Sequence, residues 1–468
     1  MQNDTIAAIS TPLGSGGIGV VRLSGPQAIS VVQRLFVLRN NHASPATRME
    51  AEKIVSHHMQ LGTIQDPHTE SAIDEVLMVV MKGPRSYTRE DVVEIQSHAG
   101  YVVLSRILGA VLDAGARLAE PGEFTKRAFL NGRIDLSQAE AVAEMISAKT
   151  EAGVQLAAAH LTGGLRSAVL GFMDAITKVQ VALEAGIEFP DEVESNQDRK
   201  RLMAILNDCV NKPIEALLRQ YDGGHFFRDG IRLGIVGRPN VGKSSLLNRL
   251  LNKEKAIVTP IPGTTRDLVE DQITISGIPV WITDTAGLHR TEDPIEVIGM
   301  QKTRENLCQA DLVLWVVDGE QGITDEDIGI REQIEGRNTV LVVNKLDLFQ
   351  GRSSPSVPEV LRGIDSVFVS AKFGLGIDQL KELIRNKCLT DVDIDPGRSI
   401  VPNLRQKSAL DTALVALGQA VEGLAQNMPD ELIASDLMAA KNALGVITGE
   451  HIDGDVLDQI FDKFCIGK

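Results

Sequence analysis

A glycine-rich segment at residues 237–244 constrains the fold of this chain more than any other feature. Its sequence, GRPNVGKS, fits the phosphate-binding pattern G-x-x-x-x-G-K-[ST] at every fixed position. The apolar run Ile231–Val236 before it predicts a buried strand, and residues 245–251 after it predict a helix with one apolar face. A strand, a glycine loop and a helix N-terminus in this order direct backbone N–H groups at an anion. The segment therefore predicts a nucleotide-binding α/β domain.

Within this loop, two side chains have expected roles in nucleotide chemistry. Lys243 should reach the β- and γ-phosphates, and the Ser244 hydroxyl should bind Mg²⁺. The loop residues predicted to contact the nucleotide are Asn240, Val241, Gly242, Lys243, Ser244 and Ser245.

Three later motifs indicate that the nucleotide is GTP. The sequences DTAG at 284–287, NKLD at 344–347 and SAK at 370–372 each follow an apolar, strand-like run. An Asp at a strand end can hold Mg²⁺ through water, and the glycine N–H can meet the γ-phosphate. The Asp347 carboxylate can accept both N–H groups of a guanine edge, which adenine does not offer. The residues predicted to bind GTP here are Asp284, Gly287, Asn344, Lys345, Asp347, Ser370, Ala371 and Lys372.

Length and composition limit the remaining possibilities. The chain has 468 residues, enough for two to four domains of about 100–200 residues each. It contains no apolar run near the roughly 18 residues of a membrane span and no signal-peptide pattern. Four scattered cysteines favour a reducing, cytoplasmic location over a disulfide framework or a zinc site. A net charge of −16 disfavours nucleic-acid binding by bulk electrostatics, so any RNA contact needs a local basic patch or a basic partner.

The pattern of predicted strands and helices changes three times along the chain. It predicts a multidomain α/β and all-α protein. Residues 1–120 are mixed α+β; residues 121–230 and 391–468 are helical; residues 231–390 alternate strand and helix, as in a Ras-like GTPase domain. We expect the GTPase domain to be inserted into one discontinuous helical domain. The elements predicted outside it are strands Thr5–Ser10, Gly19–Leu23, Val76–Met81 and Val92–Gln96 and helices Tyr101–Ala114, Leu136–His160 and Leu165–Glu184.

Segments outside the nucleotide motifs resemble one family, the MnmE (TrmE) tRNA-modification GTPases. They are PLGSGGIGVVR at 12–22, PGEFTKRAFLNGRIDL at 121–136 and the terminal FCIGK at 464–468. The resemblance runs over the whole chain, and general ribosome-assembly GTPases share the nucleotide motifs without these flanks.

The resemblance implies that the N-terminal domain binds a one-carbon tetrahydrofolate, in its 5-formyl or 5,10-methylene form, and forms the dimer interface. The matching positions are Arg22, Glu94, Arg133 and Lys468. A carboxylate such as Glu94 can accept hydrogen bonds from an aminopyrimidine edge, and cations can hold the carboxylates of the glutamate tail. The family usually has Lys where this chain has Arg133, which keeps the charge but changes the donor geometry.

Cys465 has two interpretations. In the family it lies near the folate site and takes part in the modification chemistry, which requires a lowered thiol pKa that Lys468 could help to supply. A cysteine near a C-terminus can instead be a small buried hydrophobe or a neutral surface residue. The segment Ser97–Gly100 lacks the cysteine that the family often carries there.

The resemblance also implies how GTP is hydrolysed. The residue after DTAG is Leu288, which cannot orient water as the Gln of Ras-like proteins does. In the family this role maps to Glu296, and a potassium ion replaces the arginine finger. The implied K⁺ ligands are Asn240, Thr259, Ile261 and Thr264, with Thr265 as a second Mg²⁺ ligand and Thr259 and Thr265 contacting GTP. Alternatively, Asn240 only shapes the loop and Glu296 is a solvated residue.

Taken together, the resemblance implies a potassium-dependent GTPase that works as a homodimer with the flavoprotein MnmG (GidA) in a heteromeric complex. The pair would modify carbon 5 of the wobble uridine of certain tRNAs with an aminomethyl or carboxymethylaminomethyl group. FAD and NADH would belong to the partner, because no dinucleotide-binding G-x-G-x-x-G occurs here in a βαβ context. Two alternatives stay open: a regulatory GTPase switch in ribosome assembly or stress response, and a folate-dependent methyl or formyl transferase.

Overall fold

The computed structural model consists of two β-sheets and a group of long helices. The residues it describes are 4–12, 14, 16–38, 47–48, 55–188, 195–252, 271–284, 310–348, 363–388, 394–450, 452 and 454–468. The predicted combination of an α+β part, a helical part and a P-loop α/β part is confirmed. Within these described ranges, no helix combines the length and apolar character that crossing a bilayer requires.

The first sheet has eight strands. They are β1 (Ile6–Ile9), β2 (Ile18–Ser24), β3 (Phe36–Leu38), β4 (Thr47–Arg48), β5 (Met59–Gln65), β6 (Ala72–Met81), β7 (Val92–His98) and β8 (Arg117–Leu118). Their order is β4-β3-β5-β6-β7-β2-β1-β8, and the only parallel pair among these strands is β1 with β8. Helices α1 (Ala28–Leu35) and α2 (Tyr101–Asp113) pack on one face.

Alternation along the strands decides which side chains face these helices. Val21 and Leu23 of β2 and Ile95 of β7 are buried in the apolar core beneath α1 and α2. Because successive strand residues point to opposite faces, Arg22 and Glu94 lie on the other face, directly opposite each other in the β2–β7 register. This register brings two residues 72 positions apart into contact.

Six helices follow the first sheet. They are α3 (Glu123–Leu130), α4 (Leu136–Ser147), α5 (Glu151–Leu161), α6 (Gly164–Glu188), α7 (Ser195–Leu206) and, after a π-helical turn at Asn207–Asn211, α8 (Lys212–Asp229). The prediction of one helix over Leu136–His160 is wrong. The Thr150 hydroxyl accepts a hydrogen bond from the Gly153 N–H and starts a new helix there. The apolar spacing continues across the break and therefore did not indicate it.

The second sheet belongs to the predicted unit of alternating strands and helices. Its strands are β9 (Ile231–Val236), β10 (Asp271–Ile275), β11 (Ile278–Asp284), β12 (Leu312–Asp318), β13 (Thr339–Asn344) and β14 (Ser366–Phe368), in the order β10-β11-β9-β12-β13-β14. Among the described strands of this second sheet, only the edge strand β10 pairs antiparallel with its neighbour, β11, and the other pairs are parallel. Helices α9 (Lys243–Asn252), α10 (Asp325–Gln333) and α11 (Ile377–Cys388) accompany it. Every residue of β12 and β13 is buried, as expected for strands covered on both faces.

The chain then returns to the helical part. Helices α12 (Leu404–Ala425), α13 (Asp430–Thr448) and α14 (Gly454–Phe461) follow. α12 and α13 share one apolar core with α6, α7 and α8, so segments on both sides of the second sheet build one helical unit. The domain boundaries themselves, 1–120, 121–230 with 391–468, and 231–390, stay a prediction. Helix α3, which begins after residue 120, packs Phe124 against Ile6 and Ala8 of the first sheet.

Candidate functional site

The phosphate-binding loop lies between β9 and α9, at the carboxyl edge of the second sheet. Gly237 and Gly242 have φ values of 153° and 99°. A Cβ on Gly237 would lie 2.2 Å from the Val316 carbonyl oxygen, and one on Gly242 would lie 2.2 Å from Asn344 Nδ2. Both positions therefore require glycine, and the backbone can approach its neighbours closely enough to leave a cradle for an anion.

The side chain of Lys243 is held over this loop, whereas those of Asn240, Ser244 and Ser245 face outward. Lys243 Nζ donates to the carbonyl oxygens of Gly237 and Arg238, each at 2.7 Å, so its ammonium group lies over the loop. Asn240 is exposed and has a φ of 62°, in the left-handed region. Ser244 and Ser245 are exposed at the first turn of α9. This arrangement fits a Mg²⁺-bound nucleoside triphosphate, with Lys243 at the phosphates and Ser244 as a metal ligand.

The guanine-recognition motifs meet the loop from two neighbouring strand ends. Asn344 Nδ2 donates to the Val241 carbonyl at 2.8 Å, and Asn344 Oδ1 accepts from the Ala371 N–H at 3.0 Å. Ser370 Oγ donates to Asp347 Oδ1 at 2.6 Å. Asn344 thus joins the phosphate loop to the Ser370–Lys372 segment.

Two ion pairs in this region were not predicted from the sequence. Lys345 Nζ lies 2.6 Å from Oδ2 of Asp318, which ends β12 and is buried. Arg238 Nε in the phosphate loop lies 2.8 Å from Oδ2 of Asp327 in α10. Asp318 follows an unbroken apolar strand at the same edge as the motifs, and that position is the one sequence signal that could have identified it.

Several predicted residues fall in parts of the chain that the structure does not describe. Asp284 ends β11 and lies opposite Ile235 of β9 in the strand register, next to the phosphate loop. The predicted residues outside the described ranges are Thr259, Ile261, Thr264, Thr265, Gly287, Leu288 and Glu296. Their roles in binding Mg²⁺, K⁺ and water stay predictions.

Of the four residues predicted to bind folate, two lie near aromatic rings, and the other two contact this pair or its surroundings. Arg22 Nη2 is 2.8 Å from Glu94 Oε1, and Arg22 Cζ is 5.7 Å from the ring centroids of both Tyr87 and Phe124. Arg133 Cζ is 4.7 Å from the Tyr87 centroid. The Lys468 carbonyl accepts a hydrogen bond from the Phe124 N–H at 3.1 Å. Tyr87 and Phe124, which sequence reasoning missed, link Arg22, Arg133 and Lys468, and Glu94 joins this group through its ion pair with Arg22.

The C-terminus reaches this place because it folds back onto the first sheet. Ile466 forms a β-bridge with Pro121, and the Gly467 carbonyl accepts from Ser10 Oγ at 3.0 Å. Cys465 is exposed, and its carbonyl accepts from the Gly122 N–H at 3.4 Å. The last five residues are therefore part of the same neighbourhood as Arg22 and Glu94.

A partly buried ion network fixes α3, and with it Phe124, against the sheet. Arg127 Nη2 lies 2.7 Å from Asp4 Oδ1 and 2.9 Å from Glu123 Oε1, and Arg117 Nη2 lies 2.7 Å from the same Glu123 oxygen. Burial by itself would raise the pKa of the Glu123 carboxyl, but hydrogen bonds from Arg117, the Glu120 N–H and Arg127 lower it overall. The network is charged and structural, and its Glu-x-x-x-Arg spacing at 123 and 127 is visible in the sequence.

A second polar cluster, mostly buried, lies where the chain passes from α8 into the second sheet. Arg228, at the end of α8, donates to the Pro402 carbonyl at 3.1 Å and lies 3.9 Å from Glu144. The chain enters the sheet just after Arg228 and has left it by Pro402. Burial raises the pKa of Glu144 to about 7, although Arg228 opposes this shift. Burial also lowers the pKa of His160, packed nearby, to about 4.

Comparison with known proteins gives consistent matches. Residues 5–133 match the family model of the GTP-binding protein TrmE N-terminus, and residues 136–465 match that of the MnmE helical domain. The tRNA modification GTPase MnmE of Carboxydothermus hydrogenoformans is 45% identical over 473 residues, covering 100% of both chains. Its counterparts from Syntrophus aciditrophicus and Symbiobacterium thermophilum are 44% and 45% identical, again over 100% of both chains.

Among solved structures, Era from Aquifex aeolicus bound to GDP and AlF4⁻ is 28% identical, over 40% of this chain and 66% of that one. Its TM-score of 0.29 is too low to support any inference about fold.

Proposed function

We propose, from the premise that this chain belongs to the MnmE family of tRNA modification GTPases, that it is the GTP-hydrolysing component of a tRNA-modifying pair. The chain is a GTPase that uses GTP and Mg²⁺. With the flavoprotein MnmG (GidA), it modifies carbon 5 of the wobble uridine of certain tRNAs, adding an aminomethyl or carboxymethylaminomethyl group. A reduced folate supplies the one-carbon unit when bound, and FAD and NADH belong to the partner.

The observation that carries this proposal is the grouping of Arg22, Glu94, Arg133 and Lys468 around Tyr87 and Phe124. Arg22 and Glu94 keep only about a fifth of their side-chain surface exposed, at 18% and 21%. A half-buried carboxylate paired with an arginine that lies near two aromatic rings suits a pterin, which has a flat face and a row of N–H donors. Glu94 would accept from that edge, while Arg133 and Lys468 would hold the carboxylates of the tail.

At the GTP site, each part of the edge of the second sheet has its own role. Lys243 holds the phosphates, Ser244 and Thr265 bind Mg²⁺, and Asp347 recognises guanine. Glu296 orients the attacking water. The exposed Asn240 amide, with Thr259, Ile261 and Thr264, forms an oxygen cage for K⁺, which adds positive charge where the transition state spreads negative charge. Opening and closing of the GTPase domains in a homodimer couples hydrolysis to modification.

Cys465 is proposed as a participant in the modification chemistry. Its exposure and its place in the C-terminal segment beside Phe124 and Gly122 support this role. Cys465→Ser should then leave GTP hydrolysis unchanged and remove the tRNA modification. A strain with Cys465→Ser and normally modified tRNA would assign the residue a structural role.

The test is nucleoside mass spectrometry of tRNA from cells that lack this protein. We expect the modified wobble uridine to disappear and to return with the wild-type gene, but not with Lys243→Ala or Glu94→Ala. Unchanged nucleosides after deletion would instead favour a regulatory switch. Modification that persists after deletion of the flavoprotein would favour a folate-dependent methyl or formyl transferase.

A further inference from the structure

A basic cavity lies beside the proposed folate site. Its volume is about 500 Å³, and its wall includes Arg85, Arg89, Arg133, His57 and Tyr87. Among the described residues that line it there is no Asp or Glu. The chain as a whole has a net charge of −16, whereas the three guanidinium groups give this cavity a local positive charge. This local charge points to an anionic ligand with several negative groups.

Two of the three guanidinium groups are held by the backbone of neighbouring elements. Arg89 Nη1 donates to the Asn131 carbonyl at 2.9 Å, and Arg133 Nη1 donates to the Tyr87 carbonyl at 3.2 Å. Each of these hydrogen bonds uses one of the five N–H donors of a guanidinium group. Arg89 also has a φ of 62°, which non-glycine residues seldom adopt. The cations are therefore oriented before a ligand arrives, and donors remain for carboxylate oxygens.

Tyr87 connects the cavity to the Arg22–Glu94 pair. Its ring lies 4.7 Å from Arg133 Cζ, in the wall of the cavity, and 5.7 Å from Arg22 Cζ, which is paired with Glu94. A long ligand whose flat end is bound at Glu94 can pass the Tyr87 ring and place its other end among Arg85, Arg89 and Arg133. A reduced folate has this shape, with its carboxylates at the end opposite the pterin.

We propose that this cavity binds the γ-linked polyglutamate tail of the folate, and that the chain prefers polyglutamylated over monoglutamylated folate. The inference rests on the proposed folate function. A monoglutamate tail has two carboxylates, and each further γ-linked glutamate adds one. Arg133 and Lys468 can hold the first glutamate, whereas Arg85 and Arg89 give the additional carboxylates partners.

The experiment is a calorimetric titration of the full-length protein with 5-formyl-tetrahydrofolate in its monoglutamate and triglutamate forms. We expect the triglutamate to bind at least about tenfold more tightly to the wild type, and the difference to shrink as KCl rises, because exposed charges are screened. The double variant Arg85→Ala/Arg89→Ala should bind both forms with nearly the same affinity. Lys82→Ala removes an exposed charge close in the sequence that does not line the cavity, and it should keep the preference.

Other results would overturn the inference. If the wild type binds both forms with equal affinity, the inference is wrong but the folate function stands. The same holds if the double variant keeps both the preference for the triglutamate and the thermal midpoint of the wild type. Binding of neither form by the wild type would remove the folate function as well. Affinity for tRNA is measured by fluorescence anisotropy. If the double variant loses this affinity and keeps its preference for the triglutamate, the cavity binds RNA phosphates instead.

Discussion

The GTP site and the proposed folate site are assembled over very different distances along the chain. The described residues of the GTP site lie between positions 237 and 372, and each motif follows a strand of one sheet. The folate set runs from Arg22 to Lys468, nearly the whole chain. A hydrogen bond between Ser10 and Gly467, 457 positions apart, holds the C-terminus at the second site.

This difference explains why only one of the two sites could be read from motifs. The carboxyl ends of parallel strands meet at one edge of a sheet, so a motif after each strand implies a common site. Antiparallel strands and a returning C-terminus follow no such rule. Without the family resemblance, Arg22, Glu94 and Arg133 would have been interpreted as ordinary surface charges.

One helix connects the two regions. Helix α4 begins at Leu136, three residues after Arg133, and packs there against Phe461 and Phe464 of the C-terminal segment. Its other end carries Glu144, beside Arg228 at the entrance to the second sheet. Variants at the GTP site, at the proposed folate site and in helix α4 between them can therefore test how the two sites differ.

The largest expected effect is at Glu296. Glu296→Ala should slow GTP hydrolysis by about 10²–10⁴, because the attacking water loses the group that orients it. GTP affinity should stay within a few-fold, since this residue would contact water and not the nucleotide. Single-turnover hydrolysis and nucleotide titration measure the two quantities. Near wild-type turnover in saturating K⁺ would show that another residue positions the water.

The next effect concerns Asn240 and potassium. Hydrolysis should be fast in K⁺, Rb⁺ or NH₄⁺ and slow in Na⁺, which is too small to contact every ligand of the cage. Asn240→Ala should remove the K⁺ stimulation, a loss of about 10²-fold, because a preorganised charge at the phosphates disappears. Mg²⁺-dependent GTP binding should be retained. Rates at matched ionic strength in NaCl and KCl check this, and identical wild-type rates in both salts would exclude the potassium site.

A smaller effect is expected at the long-range site. Glu94→Ala should weaken binding of 5-formyl-tetrahydrofolate by about 10–100-fold, because the pterin loses an acceptor and Arg22 loses its partner. GTP hydrolysis provides the control, since this change lies on the first sheet. A titration in which the variant and the wild type have the same dissociation constant would remove Glu94 from the folate site.

The last expected effect is on stability and not on activity or binding; it is at the helix between the sites, and it depends on pH. The folded pKa of Glu144 is raised to about 7 from an ordinary value of 4.5, so its ionisation costs stability progressively as pH rises through this window. Glu144→Gln should gain thermal stability relative to the wild type between pH 5 and pH 8, by about 3 kcal/mol or a few °C in midpoint. His160 is present in both proteins, so its contribution to the pH dependence of stability cancels in the difference between them.

Scanning calorimetry at both pH values measures this difference. Glu184→Gln, an exposed carboxylate on α6, gives the baseline. A Glu144→Gln protein whose midpoint relative to the wild type does not change with pH would show that Glu144 stays ionised in the fold.

Much of the secondary structure was predictable, and the errors have identifiable causes. Strand β9 has the predicted bounds, because an unbroken apolar run followed by a glycine loop has few alternatives. Strand β5, with the sequence MQLGTIQ, was not predicted, because Met59 and Leu61 are exposed on its outer face and Gly62 interrupts its pattern. The break between α4 and α5 depends on one hydroxyl, that of Thr150, and not on apolar spacing.

The sequence by itself determined the nucleotide motifs, their order at strand ends and the helical character of the flanking segments. Through the segments at 12–22, 121–136 and 464–468, it also determined the family. Tertiary structure alone decided that Arg22 meets Glu94, that Tyr87 and Phe124 connect the folate set, and that Lys345 pairs with Asp318. Motifs describe backbone conformation, which depends on neighbouring residues. Side-chain partners depend on strand register and on where distant segments pack, and no local pattern encodes these.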